Sequence, residues 1–119
     1  MEGFARELGL QTYDAQDGHA RLEFEAEHRH LNPAGTVHGG VLATLVDTAM
    51  GLAARSRTDD GEVPATSQLT IAYLTSAGVG PMTVTAQVRK RGEHVLLCDA
   101  DLDQDGKTVV HAVATFALL

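Results

Sequence analysis

Residues 19–27 alternate strictly: Ala20, Leu22, Phe24 and Ala26 are apolar, and Arg21, Glu23, Glu25 and Glu27 between them are charged. A period of two is the mark of a strand with one face buried and one in water. Residues 10–15 predict a partner strand, and the "QDG" between the two is a turn signal. Ahead of them, residues 2–8 ("EGFAREL") read as a short amphipathic helix closed by Gly9. "NPAG" at 32–35 is a further turn. Then the alternation stops. From Gly39 to Ala54 nearly every position is apolar and none is Pro, which predicts one helix over about 39–56, ended by the charged "RSRTDDGE". Residues 63–75, 82–91, 94–103 and 107–118 return to strand patterning. Their turns are "SAGVGP" (76–81) and "DQDG" (103–106), the latter with Gly where a hairpin needs positive φ.

Successive strands joined by short turns are antiparallel. One long helix with an antiparallel sheet is an α+β plan. The helix is apolar on nearly every side, so the sheet should curl around it. The 119 residues fit one domain, expected over 1–119, and suffice to bury a core. With only five Phe and Tyr and no Trp, that core must be built from Val, Leu and Ala.

Charge narrows the function. A net charge of −7 argues against nucleic acid as a partner, which wants a basic footprint. The single Cys98 forms no intrachain disulfide and suits a reducing, cytoplasmic setting. "MEGFARELGL" lacks the apolar stretch of a signal peptide, and the apolar run 39–54 is too short to span a bilayer, so no membrane partner is expected.

The apolar run holds one charge, Asp47. A buried carboxylate is costly unless it is paired, protonated or functional. Its neighbours are Leu45, Val46, Ala49 and Met50, and no basic residue lies within a helical turn. A carboxylate in an apolar cleft is suited to act as a general base or nucleophile. "HGG" at 38–40 opens the same helix. Two glycines there either let the chain turn or leave backbone N–H groups reachable, with the positive end of the helix dipole behind them. Such groups can polarise a carbonyl. Nine residues separate His38 from Asp47, about 13 Å along a helix and half a turn round it. If both features are functional, they must come from different chains. Antiparallel helices across a two-fold axis would then form two shared sites.

Other signals are weaker. "RKR" at 89–91 is the densest basic run; in a regular strand Arg89 and Arg91 share a face and Lys90 takes the other. It is either a solvated edge or, with Arg55 and Arg57 as lesser candidates, a contact for phosphates. His28 and His30 can share a strand face, yet with His38 they show no zinc-like spacing, so no metal is expected. Cys98 reads as core or interface, and His94 and His111 as strand-surface residues. No Walker or Rossmann fingerprint is present.

"NPAGTVHGGVLATLVDTAMG" resembles the hotdog-fold acyl-CoA thioesterases of the PaaI-like group, including the thioesterase-superfamily-member-2 type. The later "TSQLTIAYLTSAGVGPM" and "VRKRGEHVLLCDADLDQDGKTVVHAVATF" extend the similarity over nearly the whole chain. The resemblance implies a curled antiparallel sheet wrapped around one central helix. It implies hydrolysis of an acyl-CoA, aromatic (phenylacetyl-type) or short to medium in chain, without a cofactor. It assigns Asp47 as the carboxylate that attacks the thioester or activates water. Gly39 supplies the N–H that polarises the carbonyl from the facing helix. His38 and Asn32 orient the thioester or the water, and Thr66 stands near that water. Arg89, Lys90 and Arg91 become candidates for the coenzyme A phosphates. Some relatives carry Thr one turn after the carboxylate; Gly51 stands there, so Thr48 or Thr66 must assist, if any group does. The choice between a covalent anhydride and general-base catalysis stays open. A homodimer is expected, assembled further into a homotetramer as a dimer of dimers. The acyl group would lie between subunits near Met50, Ala54 or Leu69.

Two other classes compete. A hotdog hydratase or dehydratase would use His as base, and His38 would then matter more than Asp47. A non-catalytic acyl-CoA-binding regulator would carry an added DNA-binding segment, for which 119 residues leave no room.

Overall fold

A computed structural model describes residues 3–119. The first helix, α1, runs Phe4–Leu8 and ends at Gly9; the residue 2 start expected for it lies outside the described residues. Strands β1 (Thr12–Gln16) and β2 (His19–Ala26) follow, then one 3₁₀ turn at His28–His30 and the long helix α2 (Gly39–Arg55). Four strands complete the chain: β3 (Pro64–Tyr73), β4 (Gly80–Arg91), β5 (Val95–Gln104) and β6 (Lys107–Leu118).

The six strands form one antiparallel sheet in the order β1-β2-β4-β5-β6-β3. The sequence "QDG" occurs twice and makes the same turn twice. Asp17 and Gly18 have φ of 51° and 81°, and Asp105 and Gly106 have 52° and 77°. Two positive φ values in a two-residue loop match the twist of the flanking strands, and Asp followed by Gly tolerates them best. These hairpins set the β1–β2 and β5–β6 registers. The four last strands are antiparallel as expected, but they are not a simple meander. β3 pairs with β6, so the 74–79 connection passes two strands before β4 begins. Gln104 holds that connection, accepting from the Gly78 N–H (2.9 Å) and donating to its carbonyl (2.7 Å).

The inner sheet face is apolar where alternation predicts it: Ala20, Leu22, Phe24 and Ala26 of β2 are buried, as are Leu96, Cys98, Ala100 and Leu102 of β5. α2 lies on this face and touches all six strands. Its buried stripe is Val41, Leu42, Leu45, Val46, Ala49, Met50, Ala53 and Ala54. The alanines let helix and sheet approach closely; each fully buried Leu or Met contributes about 1.5–3 kcal/mol. The helix is not enclosed on every side. Thr44, Asp47, Thr48, Gly51 and Leu52 form a half-exposed stripe opposite the buried one. No helix among the described residues is long and apolar enough to cross a membrane.

Candidate active site

Asp47 sits midway along α2 on the open stripe. Its Oδ1 accepts from the Thr66 hydroxyl at 2.8 Å; Oδ2 has no hydrogen-bond partner among the described residues. Thr66 reaches it because of an irregularity in β3. The β3–β6 register slips between Thr66 and Gln68, leaving Ser67 as the extra residue, bonded to Thr115. An extra residue resets which side chains face inward. Thr66, opposite buried Phe116, and Leu69, opposite buried Ala114, therefore both face the helix. In a regular strand, residues three apart lie on opposite faces.

The start of α2 is built separately. Asn32 secures the loop before it: Oδ1 accepts from Ala34 N (3.0 Å) and Thr36 N (3.2 Å), and Nδ2 donates to Thr36 Oγ1 (2.9 Å). One amide proton of Asn32 is left over. His38 caps the helix, its Nδ1 accepting from Gly40 N at 2.8 Å. The proton of a neutral ring then sits on Nε2. Of the two glycine N–H groups expected to be bare, that of Gly40 is thus taken. The Gly39 N–H meets no acceptor among the described residues.

A residue unremarked in the sequence completes this end. Tyr73, the last residue of β3, donates its hydroxyl to the Gly39 carbonyl at 2.8 Å. A Tyr closing a strand carries no signal of such a contact, which depends on β3 lying antiparallel alongside α2. The strand grips the helix at two points, Thr66 on Asp47 and Tyr73 on Gly39.

The structure brings Asp47 and Thr66 together. It does not bring Asp47 to Gly39, His38 or Asn32 in the same chain, because Gly39 and Asp47 are eight positions apart on one helix, about 12 Å. Thr48 stands on the open stripe, but Thr66 holds the carboxylate. Met50 and Ala54 are fully buried against the sheet and cannot line an acyl pocket between chains; Leu69 is half-buried.

The basic run departs from the expected facing. The β4–β5 register slips between Val88 and Lys90, with Arg89 extra. Arg89 pairs with Asp99 (2.6 Å), which points outward, and Lys90 lies opposite half-exposed Leu97. Arg91 lies opposite buried Leu96, on the other face. Arg91 binds Glu62 (2.7 Å) and the Arg57 carbonyl (3.1 Å), fastening the segment after α2. The Glu62 carboxyl is held below the ordinary Glu value, first by the Asp59 N–H and then by Arg91, against an opposing push from burial. Lys90 has no ion-pair partner among the described residues.

His28 and His30 lie in the 3₁₀ turn, not on a strand face. Buried His30 uses both ring nitrogens, Nδ1 accepting from Glu27 N and Nε2 donating to the Leu8 carbonyl, each at 2.8 Å. Among the described residues no three His, Cys, Asp or Glu are grouped to hold a metal. Cys98 is buried in the core, and burial pushes its thiol up to about 11, so it stays protonated and unreactive near neutrality.

Residues 34–111 match the thioesterase superfamily. The chain is 35% identical over 101 residues to human acyl-coenzyme A thioesterase 13, covering 83% of this chain and 71% of that protein. Among solved structures it resembles a point mutant of the phenylacetic acid degradation protein PaaI from Thermus thermophilus, with TM-score 0.88, 25% identity and 96% of each chain covered. It also resembles a hypothetical thioesterase protein with coenzyme A from Streptococcus pneumoniae, with TM-score 0.82, 28% identity, and 91% of this chain and 89% of that one covered. The curled sheet on one long helix is the hotdog fold these proteins share.

Proposed function

The chain belongs to the thioesterase superfamily and is a thioester hydrolase of the PaaI-like group, and from that premise we propose that it hydrolyses an acyl-CoA to the free acid and coenzyme A, with Asp47 as its catalytic carboxylate. The observation that carries this is the state of Asp47. It sits midway along a largely apolar helix with no ion-pair partner among the described residues, one oxygen fixed by Thr66 and the other open. A half-exposed carboxylate with one oxygen held and one free is placed to act as base or nucleophile.

Asp47 Oδ2 attacks the thioester carbon or takes a proton from the water that does. The carbonyl oxygen, as it gains charge, is met by the Gly39 N–H of the facing chain. The His38 Nε2–H and the remaining Asn32 amide proton orient the thioester or the water. The thiolate leaves readily, so carboxylate and N–H donor suffice, with no cofactor and no metal. Of the basic run, Lys90 is the residue available to the coenzyme A phosphates. An aromatic or a short to medium acyl group lies beside the open stripe of α2, near Leu69. The reducing cytoplasm suits the single buried thiol. The whole chain, 1–119, acts as one domain.

Two features support a second copy. β3 is a ten-residue edge strand, and Tyr73, Leu74 and Val79 stand exposed at and beyond its end. Beside it runs the half-exposed stripe of α2. Pairing two such edges across a two-fold axis would cover both and set each Gly39 near the other chain's Asp47, with a dimer of dimers as the further assembly. The hydratase reading needs a basic nitrogen on His38, and Nδ1 is occupied by Gly40.

The test is thiol release from a panel of aliphatic and aromatic acyl-CoAs. Wild type should turn over at least one, and Asp47→Asn should not. Unchanged turnover in the variant would remove Asp47 from the mechanism. After turnover in ¹⁸O-water, label found by mass spectrometry on Asp47 shows an anhydride opened by water at the Asp47 carbonyl, whereas water attacking the thioester directly labels only the free acid.

A further inference from the structure

We infer that Tyr73 is a positioning residue, whose phenol, bonded to the Gly39 carbonyl and packed on its Cα, fixes the Gly39 backbone and through it the direction of the N–H that polarises the thioester. This rests on the reading of Gly39 given above.

An N–H aimed at a developing oxyanion works only if its direction is fixed before the reaction. Two consecutive glycines at a helix start are the least suited residues for that, because Gly has the most backbone freedom to lose. The chain compensates on every side of Gly39. Ahead of it, His38 N donates to the His30 carbonyl at 2.8 Å, and buried His30 is itself tied to α1. After it, Gly40 N is held by His38 Nδ1, and the Gly40 carbonyl accepts from Thr44 Oγ1 at 2.8 Å. All of these belong to α2 or the loop before it. Among the described residues Tyr73 makes the one hydrogen bond to Gly39 from another element; it binds the carbonyl on the far side of the Gly39 Cα from the N–H, whose own peptide is held by Val41 N on the His38 carbonyl at 2.9 Å.

The contact is also steric. A Cβ on Gly39 would meet Tyr73 Oη at 3.4 Å, Cζ at 3.5 Å and Cε1 at 3.6 Å. The ring therefore lies against the Gly39 Cα while the hydroxyl binds the carbonyl. Tyr73 faces α2 because it pairs with buried Val110, and its strand is pinned again at Thr66. One strand thus orients both the carboxylate of one shared site and the N–H donor of the other.

The test is Tyr73→Phe, which keeps the ring and deletes the hydroxyl, with Tyr13→Phe on β1 as a control. Expected in Tyr73→Phe are a roughly tenfold fall in kcat with KM within about twofold. The melting temperature should stay within about 2 °C. By ¹⁵N relaxation, the Gly39 amide order parameter should drop from about 0.85 toward about 0.6. The control should change none of these. In a Gly39→Pro background, adding Tyr73→Phe should cost no further activity, since the N–H it positions is gone. An unchanged order parameter overturns the inference. So does a raised KM at constant kcat, which would make Tyr73 a substrate contact, or a loss of kcat that tracks a lowered melting temperature. A lower order parameter with full kcat refutes the catalytic consequence and counts against the Gly39 assignment too. Should the wild type hydrolyse no acyl-CoA, the functional reading fails, and the relaxation measurement still decides whether Tyr73 holds Gly39.

Discussion

The sheet has two edges, and they are built for opposite ends. β1 is five residues long, is mostly exposed and carries Asp14. A short edge bearing a charge ends a sheet safely. β3 is ten residues long and carries no charge. It adjoins the open stripe of α2 and supplies both contacts that define the candidate site, Thr66 on Asp47 and Tyr73 on Gly39. A long uncharged edge is a hazard unless something covers it. The hazard and the chemistry share one side of the molecule, which is the arrangement a site completed by a second chain requires.

The largest expected effect is on Asp47. Asp47→Asn should cut kcat by about 10³, the middle of the range for removing a general base, while gel filtration shows an unchanged mass. A mass change would mean that the residue shapes the interface and not the reaction. Next comes the edge itself. Thr70→Glu places a like charge on both copies of β3; it should halve the solution mass and lower kcat by at least about 10², the effect of losing the oxyanion donor alone. Asp14→Lys on β1 should do neither, and a mass change there would erase the contrast between the edges. Thr66→Val should lower kcat by about tenfold with little change in KM, because the carboxylate remains but its direction is freed. Smallest is the core thiol. With its value raised to about 11, Cys98 should resist iodoacetamide at pH 8 in the folded protein and react within minutes in denaturant. Rapid native labelling would show that the β5 face of the core opens readily.

Periodicity carried much of the fold. The alternation of Ala20 to Glu27, the apolar run from Gly39 and the two "QDG" turns each reflect local chemistry, so their elements lie where expected. Strand order was not legible, because β3 and β4 are neighbours in sequence but are separated by two strands, and long-range pairing leaves no mark on either segment. The three register shifts in the sheet were equally silent. The one in β4 corrected the facing of Arg89 and Arg91, and the one in β3 explains how Thr66 reaches Asp47. Asp47 itself stood out because a lone charge in an apolar run looked buried; it lies instead on the half-exposed stripe that α2 turns away from the sheet. Tyr73 did not, since nothing about its own segment is unusual. The Gly40 N–H looked free in sequence only because the reach of His38 back to it is a matter of rotamer.

Shared sites across two chains are the central claim, and mixing two inactive variants tests it most directly. Gly39→Pro deletes the N–H at a first helical position, where Pro is favoured. The preceding His38 already has φ −57° and ψ 133°, as a residue before Pro requires. Asp47→Asn deletes the carboxylate. Each variant alone should be nearly inactive. Refolded together, half of the dimers should be mixed, and each mixed dimer should hold one intact site. The mixture should therefore recover about a quarter of wild-type activity. Activity no higher than the average of the two parents would contradict the account, because each chain would then hold its own complete site.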